Sequence, residues 1–388
     1  MRDKHTLTGI MVLSATSLVS AVLGSIHAFS VFLHPLEVQF DATRSAVSLT
    51  YSLALVALTF AVLVGPRIYG RWSAASLILG ACVLAASGAL LAGVAGSLWG
   101  MWLGYSLIFG LANGVGYGFG LQLAAQYMPG REGLAMGVVT ASYALGAVLS
   151  PGLFDLAVSA RGVSAAMMAL AGTLLLIGLL SATLLRLVKA QFNAPEQRRR
   201  IKSATGRSQV LLWIGYFGGV LAGLMVIGHA AGIAAALRPE LAPWIAPVII
   251  AACNLVGSLV GGRLADRVSL GALLATLALV TSATLALLAA FGQVGGIMVG
   301  FGVVGFAYGG TIAAYPAAVA KLFGMHDSAE IYGRIFTAWG CAGLLGPWLA
   351  GLLFDWRGDY QIALLTAAGA GVISVAAIGT LFRTSRKS

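Results

Sequence analysis

The chain has 388 residues, 59% of them hydrophobic, with 23 basic and 12 acidic side chains and a net charge of +11. Charged residues make up 9% of it, against roughly 25% in a soluble domain. That composition excludes a cytosolic enzyme, a disordered chain and a small disulfide scaffold, and it implies a polytopic membrane protein.

Ten stretches of 20 or more residues carry no Asp, Glu, Lys or Arg: 8–33, 45–66, 72–130, 133–154, 162–185, 208–237, 241–262, 268–320, 335–354 and 360–382. A spanning helix needs about 20 apolar residues. Eight stretches therefore hold one helix each. The two long ones, 72–130 and 268–320, hold two each, with turns near Ala95–Leu98 and Gly292–Gly296. Twelve helices result, and the polar/apolar alternation of a membrane β-barrel is absent. In order the stretches read single, single, double, single, single, and then the same again. The expected organisation is a six-helix bundle over 1–188, a basic linker over 189–207 and a second bundle over 208–388. Local echoes support a duplication: LGAVLSPGLFDL from Leu145 beside AGLLGPWLAGLLFDW from Ala342, and Gly116-Tyr117-Gly118 beside Ala307-Tyr308-Gly309. Two related halves are the usual sign of a duplicated transporter fold.

With the N-terminus inside, 19 Lys and Arg fall in cytoplasmic segments and only Arg44, Arg161, Arg238 and Arg357 fall outside. The positive-inside rule then makes both termini and the linker cytoplasmic. Charge spread over every inner loop reflects topology, so no nucleic-acid partner is implied. The Arg198–Lys202 cluster reads as a solvated linker that can touch anionic lipid. Cys82, Cys253 and Cys341 lie within helices without metal or redox spacing and read as small apolar groups. No cleavable signal peptide is expected. No metal motif, nucleophile motif or deep carboxylate pair points to an enzyme, and no cofactor is implied.

Polar side chains in hydrocarbon are costly and usually face a cavity or a partner. His27 in helix 1 and His229 in helix 7 occupy corresponding helices. A histidine there either binds an anion or relays a proton, or it sits neutral on a backbone carbonyl. His229 lies towards the outer end and fits the second role better. Tyr117, Tyr143 and Tyr308 bring hydroxyl donors that suit a small carboxylate. Asn113, Gln122, Asn254 and Ser258 are further mid-helix candidates, with interhelical hydrogen bonding as the plainer alternative. Glycines in helix 4 and the Gly/Pro pairs of helices 5 and 11 are expected to give close packing and bends.

On these segments the chain resembles the major facilitator superfamily over its whole length. GRLADRVS from Gly262 is similar to that superfamily's loop motif, and the resemblance implies that Asp266 and Arg267 gate by locking helix ends. The matching loop, GPRIYGRWS from Gly65, lacks the acidic residue. Gly137, Gly146 and Ser150-Pro151 are similar to an antiporter-associated motif of helix 5. Within the superfamily, SVFLHPLEVQFDATRSAVSLTYSLAL from Ser30, QYMPGREGLAMGVVTASYALGAVLSP from Gln126 and AAYPAAVAKLFG from Ala313 resemble the oxalate/formate antiporter and monocarboxylate transporter branch.

By position, that resemblance implies a substrate site of His27, Tyr117, Tyr143, Asn254, Ser258, Tyr308 and Trp339. The cationic pair of the oxalate branch falls on Ser258 and Trp339, and the acid–base pair of the proton-coupled branch falls on Asn254 and Ser258. A dianion site is therefore not expected. The reading is a secondary transporter of a small organic anion, a monocarboxylate, working by alternating access and coupled to protons. It would be a monomer in a bacterial inner membrane. An exporter of a drug or neutral metabolite by proton antiport is the alternative. A transporter-like sensor is disfavoured by a tail of six residues after Phe382.

Overall fold

The computed structural model describes residues 2–193, 206–291, 296–323 and 328–384. The Arg198–Lys202 cluster, most of the turn at Gly292–Gly296, His326, Arg386 and Lys387 lie outside the described residues. Among those described there is no strand. Eleven helices are long and apolar enough to cross a membrane, and one of them spans 54 residues. Inside it Gly162 takes φ 80°, ψ −179°, a conformation that costs glycine little and any other residue more. This single residue divides helices 5 and 6, where the sequence suggests a charged loop over 155–161.

The helices are α1 (Leu7–Phe40), α2 (Arg44–Val64), α3 (Ala74–Gly93), α4 (Leu98–Gln126), α5 (132–161), α6 (163–187), α7 (Arg207–Leu237), α8 (Ile245–Ala265), α9 (Leu270–Phe291), α10 (Gly296–Phe323), α11 (Ser328–Arg357) and α12 (Gln361–Thr384). The chain is a multi-pass membrane protein. Its surface carries large apolar side chains, among them Leu176 and Leu179 of α6, Leu279 and Leu287 of α9, and Val372 and Ile373 of α12. Such a surface is stable against lipid rather than water. Two helices depart from regular α geometry. α1 tightens to a 3-10 helix over Gly24–Phe32, and α4 widens to a π-helix over Trp102–Phe109. Stretches of this kind inside long helices commonly mark functional sites.

The chain divides into two compact units. Unit 1 comprises Met1–Phe40 with Leu53–Arg199, and unit 2 comprises Asp41–Ser52 with Arg200–Ser388. Each is held by helices that touch through glycine, since without a hydrophobic force between helices in lipid, close packing drives association. In unit 1, Cβ atoms on Gly110 and Gly114 of α4 would lie 2.7 Å and 2.3 Å from the carbonyl oxygens of Ala54 and Leu58 in α2. In unit 2, Cβ atoms on Gly305 and Gly309 of α10 would lie 2.3 Å and 2.1 Å from those of Ile250 and Asn254 in α8. The two crossings share a four-residue spacing, so they fix the register of the repeat. By that register the counterpart of Tyr308 is Asn113. The echo of Tyr308 with Tyr117 suggested by the residue strings is displaced by about one turn.

Candidate functional site

In unit 1 the 3-10 segment of α1 carries His27 beside α4 and α5. Asn113 of α4 is fully buried and bridges the neighbouring helices. Its amide donates to the carbonyl of Leu23 (2.7 Å), and its Oδ1 accepts the hydroxyl proton of Tyr143 (3.0 Å). The Tyr143 ring packs on Tyr117 at 4.6 Å and edge-on to His27 at 5.7 Å. Tyr117 shares a hydrogen bond of 3.3 Å with Thr140. Three residues expected from sequence, His27, Tyr117 and Tyr143, thus form one cluster. Thr140 joins it with no signal of its own in the sequence. The cluster depends on how closely α1 meets α5. A Cβ on Gly24 would lie 1.8 Å from the carbonyl oxygen of Tyr143, and one on Gly146 would lie 1.7 Å from that of Ala21.

Unit 2 holds the matching pair between α10 and α11. Trp339 Nε1–H donates to the Tyr308 hydroxyl oxygen at 2.9 Å. The Trp339 indole stacks on Phe336, with ring centroids 5.5 Å apart and planes 5° apart. The Tyr308 ring lies against Gly223, where a Cβ would come within 2.3 Å of it. In α8, Ser258 and Asn254 are partly buried, and the Ser258 hydroxyl reaches the Asn254 side-chain oxygen at 3.4 Å. Asn254 lies against Gly309, next in sequence to Tyr308. The four unit 2 residues expected from sequence therefore gather around one turn of α10.

The polarity of the two pairs is opposite, and this is chemically decisive. Asn113 gives its proton to Leu23 and must accept from Tyr143, so the Tyr143 proton is committed. Tyr308 accepts from Trp339, an indole that can only donate, so the Tyr308 proton is left for another acceptor. Neither pair contains an ionised group. Among the described residues, no three His, Cys, Asp or Glu side chains gather as metal ligands.

His229 is fully buried in a structural role. Its Nε2–H donates to the carbonyl of Pro347 (2.7 Å) and lies 3.0 Å from the Ser48 hydroxyl, while Nδ1 accepts from Tyr360 (3.0 Å). Arg44 donates to Tyr360 at 3.0 Å, and its guanidinium lies 3.9 Å over the Phe354 ring. Asp355 accepts from the first amides of α2, those of Arg44 and Ser45, at 2.9 Å each. A carboxylate at a helix N-terminus satisfies orphan N–H groups and the helix dipole together.

Asp266 and Arg267 are exposed at the end of α8, and among the described residues neither makes an ion pair. The matching loop of unit 1, which has no acid, is held by rings instead. Tyr69 is buried, with Phe119 and Phe192 at 5.2 Å and 6.0 Å.

The sequence profile of the Major Facilitator Superfamily matches residues 12–271 and 237–388. The chain is 24% identical to the uncharacterized MFS-type transporter YhjX of Escherichia coli K12, over 87% of this chain and 86% of that one. It is also 24% identical to the oxalate:formate antiporter of Oxalobacter formigenes, over 96% of this chain and 92% of that one. Similar solved structures include a POT family transporter (13% identity, TM-score 0.77, 97% and 96% covered) and the xylose transporter XylE from E. coli (12%, 0.76, 95% and 94%). A bacterial homolog of the lysosomal transporter Spinster is similar too (14%, 0.71, 96% of each chain). At these identities the structures show a shared fold.

Proposed function

The chain belongs to the Major Facilitator Superfamily, and on that premise we propose that this transporter moves a monocarboxylate by alternating access, coupled to protons. The observation that carries the reading is the Tyr308–Trp339 pair. The indole occupies the Tyr308 oxygen, so the phenol offers a proton to a carboxylate in apolar surroundings, where such a bond is strong. A site without a Lys or Arg suits a monoanion better than a dianion. The likeness to an oxalate:formate antiporter supports a carboxylate, and Ser258 and Trp339, where that branch places cations, support a singly charged one.

The residues proposed to contact the substrate are His27, Tyr117, Tyr143, Asn254, Ser258, Tyr308 and Trp339. His27 is the titratable member and carries the coupling proton. Asp266 and Arg267 act in gating. The protein works as a monomer in the inner membrane with both termini cytoplasmic. Counterflow in proteoliposomes tests the function. Vesicles loaded with formate or lactate should accumulate labelled lactate or formate by exchange, whereas vesicles loaded with oxalate should not, and labelled oxalate should stay outside. Exchange of oxalate alone, or of no carboxylate, would overturn the reading. A second reading, export by proton antiport, draws on Gly146 of the helix 5 motif, which packs directly on α1. A resistance phenotype on overexpression without carboxylate exchange would favour it.

A further inference from the structure

Two stretches of unit 1 leave α geometry, and they meet. The 3-10 run of α1, Gly24–Phe32, is nine residues long, where runs beyond three or four are uncommon. The π run of α4, Trp102–Phe109, is eight residues long. Phe29 packs on Tyr105 at 5.3 Å, and Tyr105 packs on Phe109 at 4.9 Å. The Tyr105 hydroxyl reaches the Ile26 carbonyl at 3.4 Å.

The winding of α1 decides where His27 points. Residues three apart eclipse in a 3-10 helix, whereas α winding, at about 100° per residue, leaves them about 60° apart. Gly24 is fixed on α5, its Cβ position 1.8 Å from the Tyr143 carbonyl oxygen. Three residues on, 3-10 winding sets His27 over Gly24 and against the Tyr143 ring. His27 is partly buried, and the other eight residues of the run are buried. Ile26, Phe29 and Phe32 make a second eclipsed row, which ends on Phe154 of α5 at 5.0 Å. An α winding would break that row and turn His27 off Tyr143.

The serine hydroxyls of α1 tie this winding to no neighbour. Those of Ser25 and Ser30, and of Ser17 and Ser20 in the α part before them, are buried without a partner. Elsewhere in the same unit the α-helical Thr59 and Ser142 bond the carbonyl four residues back, at 2.7 Å and 2.8 Å. An α winding would offer Ser25 and Ser30 the same bond.

We infer that Gly24–Phe32 is a two-state element, 3-10 in this structure and α in a second state, with the Ser25 and Ser30 hydroxyls stabilising the second. Rewinding carries His27 off Tyr143. Its part in transport rests on the reading of His27 given above. A residue that takes a proton in one step and gives it up in another needs two surroundings, and turning one short segment supplies both. Conversion of the whole run shortens α1 by about 4–5 Å.

The test uses the full-length protein with Cys82, Cys253 and Cys341 replaced by alanine. Spin labels go on Ser14→Cys and Val38→Cys, two exposed positions of α1. Pulsed electron resonance in proteoliposomes should show two distances, about 40 Å for the 3-10 state and about 36 Å for the α state. L-Lactate should raise the share of the longer, in which His27 stands with Tyr143. Labels on Met168→Cys and Leu187→Cys of α6, both exposed, should show one distance throughout. Ser25→Ala with Ser30→Ala removes a bond made in the α state alone. That variant should deplete the shorter distance, keep Tm and bind lactate at least as tightly, yet exchange it about threefold or more slowly. A single distance between Ser14→Cys and Val38→Cys in both conditions would overturn the rewinding, whether or not lactate binds. An undiminished shorter distance in the serine variant, with weaker lactate binding, would overturn the part given to the serines and make them substrate ligands. Two distances in a protein that binds no lactate would uphold the rewinding and overturn the carboxylate reading instead.

Discussion

Gly146→Ala tests whether the unit 1 cluster depends on the contact of α1 with α5. The added methyl would lie 1.7 Å from the carbonyl oxygen of Ala21. Ordinary contact needs about 3.5 Å, so the helices must part by roughly 1.8 Å there. The neighbouring hydrogen bonds, 2.7 Å from Asn113 to Leu23 and 3.0 Å from Tyr143 to Asn113, tie α1, α4 and α5 together. They cannot both survive that displacement. Overpacking costs about 1–3 kcal/mol, and loss of a buried hydrogen bond adds about 1 kcal/mol. Gly137, nine residues earlier in the same helix, has nothing within 4 Å of its Cβ position. Gly137→Ala should therefore be neutral or mildly stabilising, since alanine favours helix by up to about 1 kcal/mol. Thermal unfolding in detergent, followed by tryptophan fluorescence, should place Gly146→Ala several degrees below the wild type and Gly137→Ala at or above it. Exchange should fall in the first and persist in the second. Equal stability and equal exchange in both variants would refute the argument that this contact sets the cluster.

Further outcomes follow from other parts of the chain. Asn113→Leu strands the Leu23 carbonyl and the Tyr143 proton together, so thermal unfolding should show a loss of about 2 kcal/mol and exchange should fall; a wild-type Tm would remove Asn113 from the bridge. His229→Ala leaves Tyr360, Ser48 and the Pro347 carbonyl without their shared partner and opens a cavity. A cost of about 3 kcal/mol is expected in unfolding, while the pH dependence of exchange should keep its wild-type midpoint; a shifted midpoint would assign the proton to His229. Outside the membrane, the Gly130 amide donates to Glu132 at 2.8 Å and holds its carboxyl below the usual glutamate value. A lowered value stabilises the fold above the unfolded-state pKa, and the benefit is lost as pH falls through the folded-state one. Glu132→Gln should therefore be less stable than the wild type at neutral pH, and the difference should vanish in acid below the glutamate range. A gap that widened in acid would reverse the sign.

Much of the fold is legible because lipid imposes a simple rule, and uncharged stretches of spanning length are easy to read. His27, Tyr117 and Tyr143 are legible because each polar group sits well inside such a stretch. Other features were hidden for identifiable reasons. The separation of α5 from α6 rests on the backbone angle of Gly162, which no charge pattern reveals. The partners of His229 lie 181, 131 and 118 residues away, so only the fold shows that they satisfy it. The register of the repeat is set by glycines against carbonyl oxygens, which is why matching strings paired Tyr308 with Tyr117 instead of Asn113.

The most direct test of the central claim is the proton movement that accompanies substrate entry. Proteoliposomes loaded with the pH dye pyranine would be given an outside pulse of lactate, with protein-free liposomes as the baseline. Proton-coupled uptake should acidify the lumen faster than the baseline, and His27→Ala should return the rate to it. A wild-type rate equal to the baseline, or the same acidification in His27→Ala, would contradict the account.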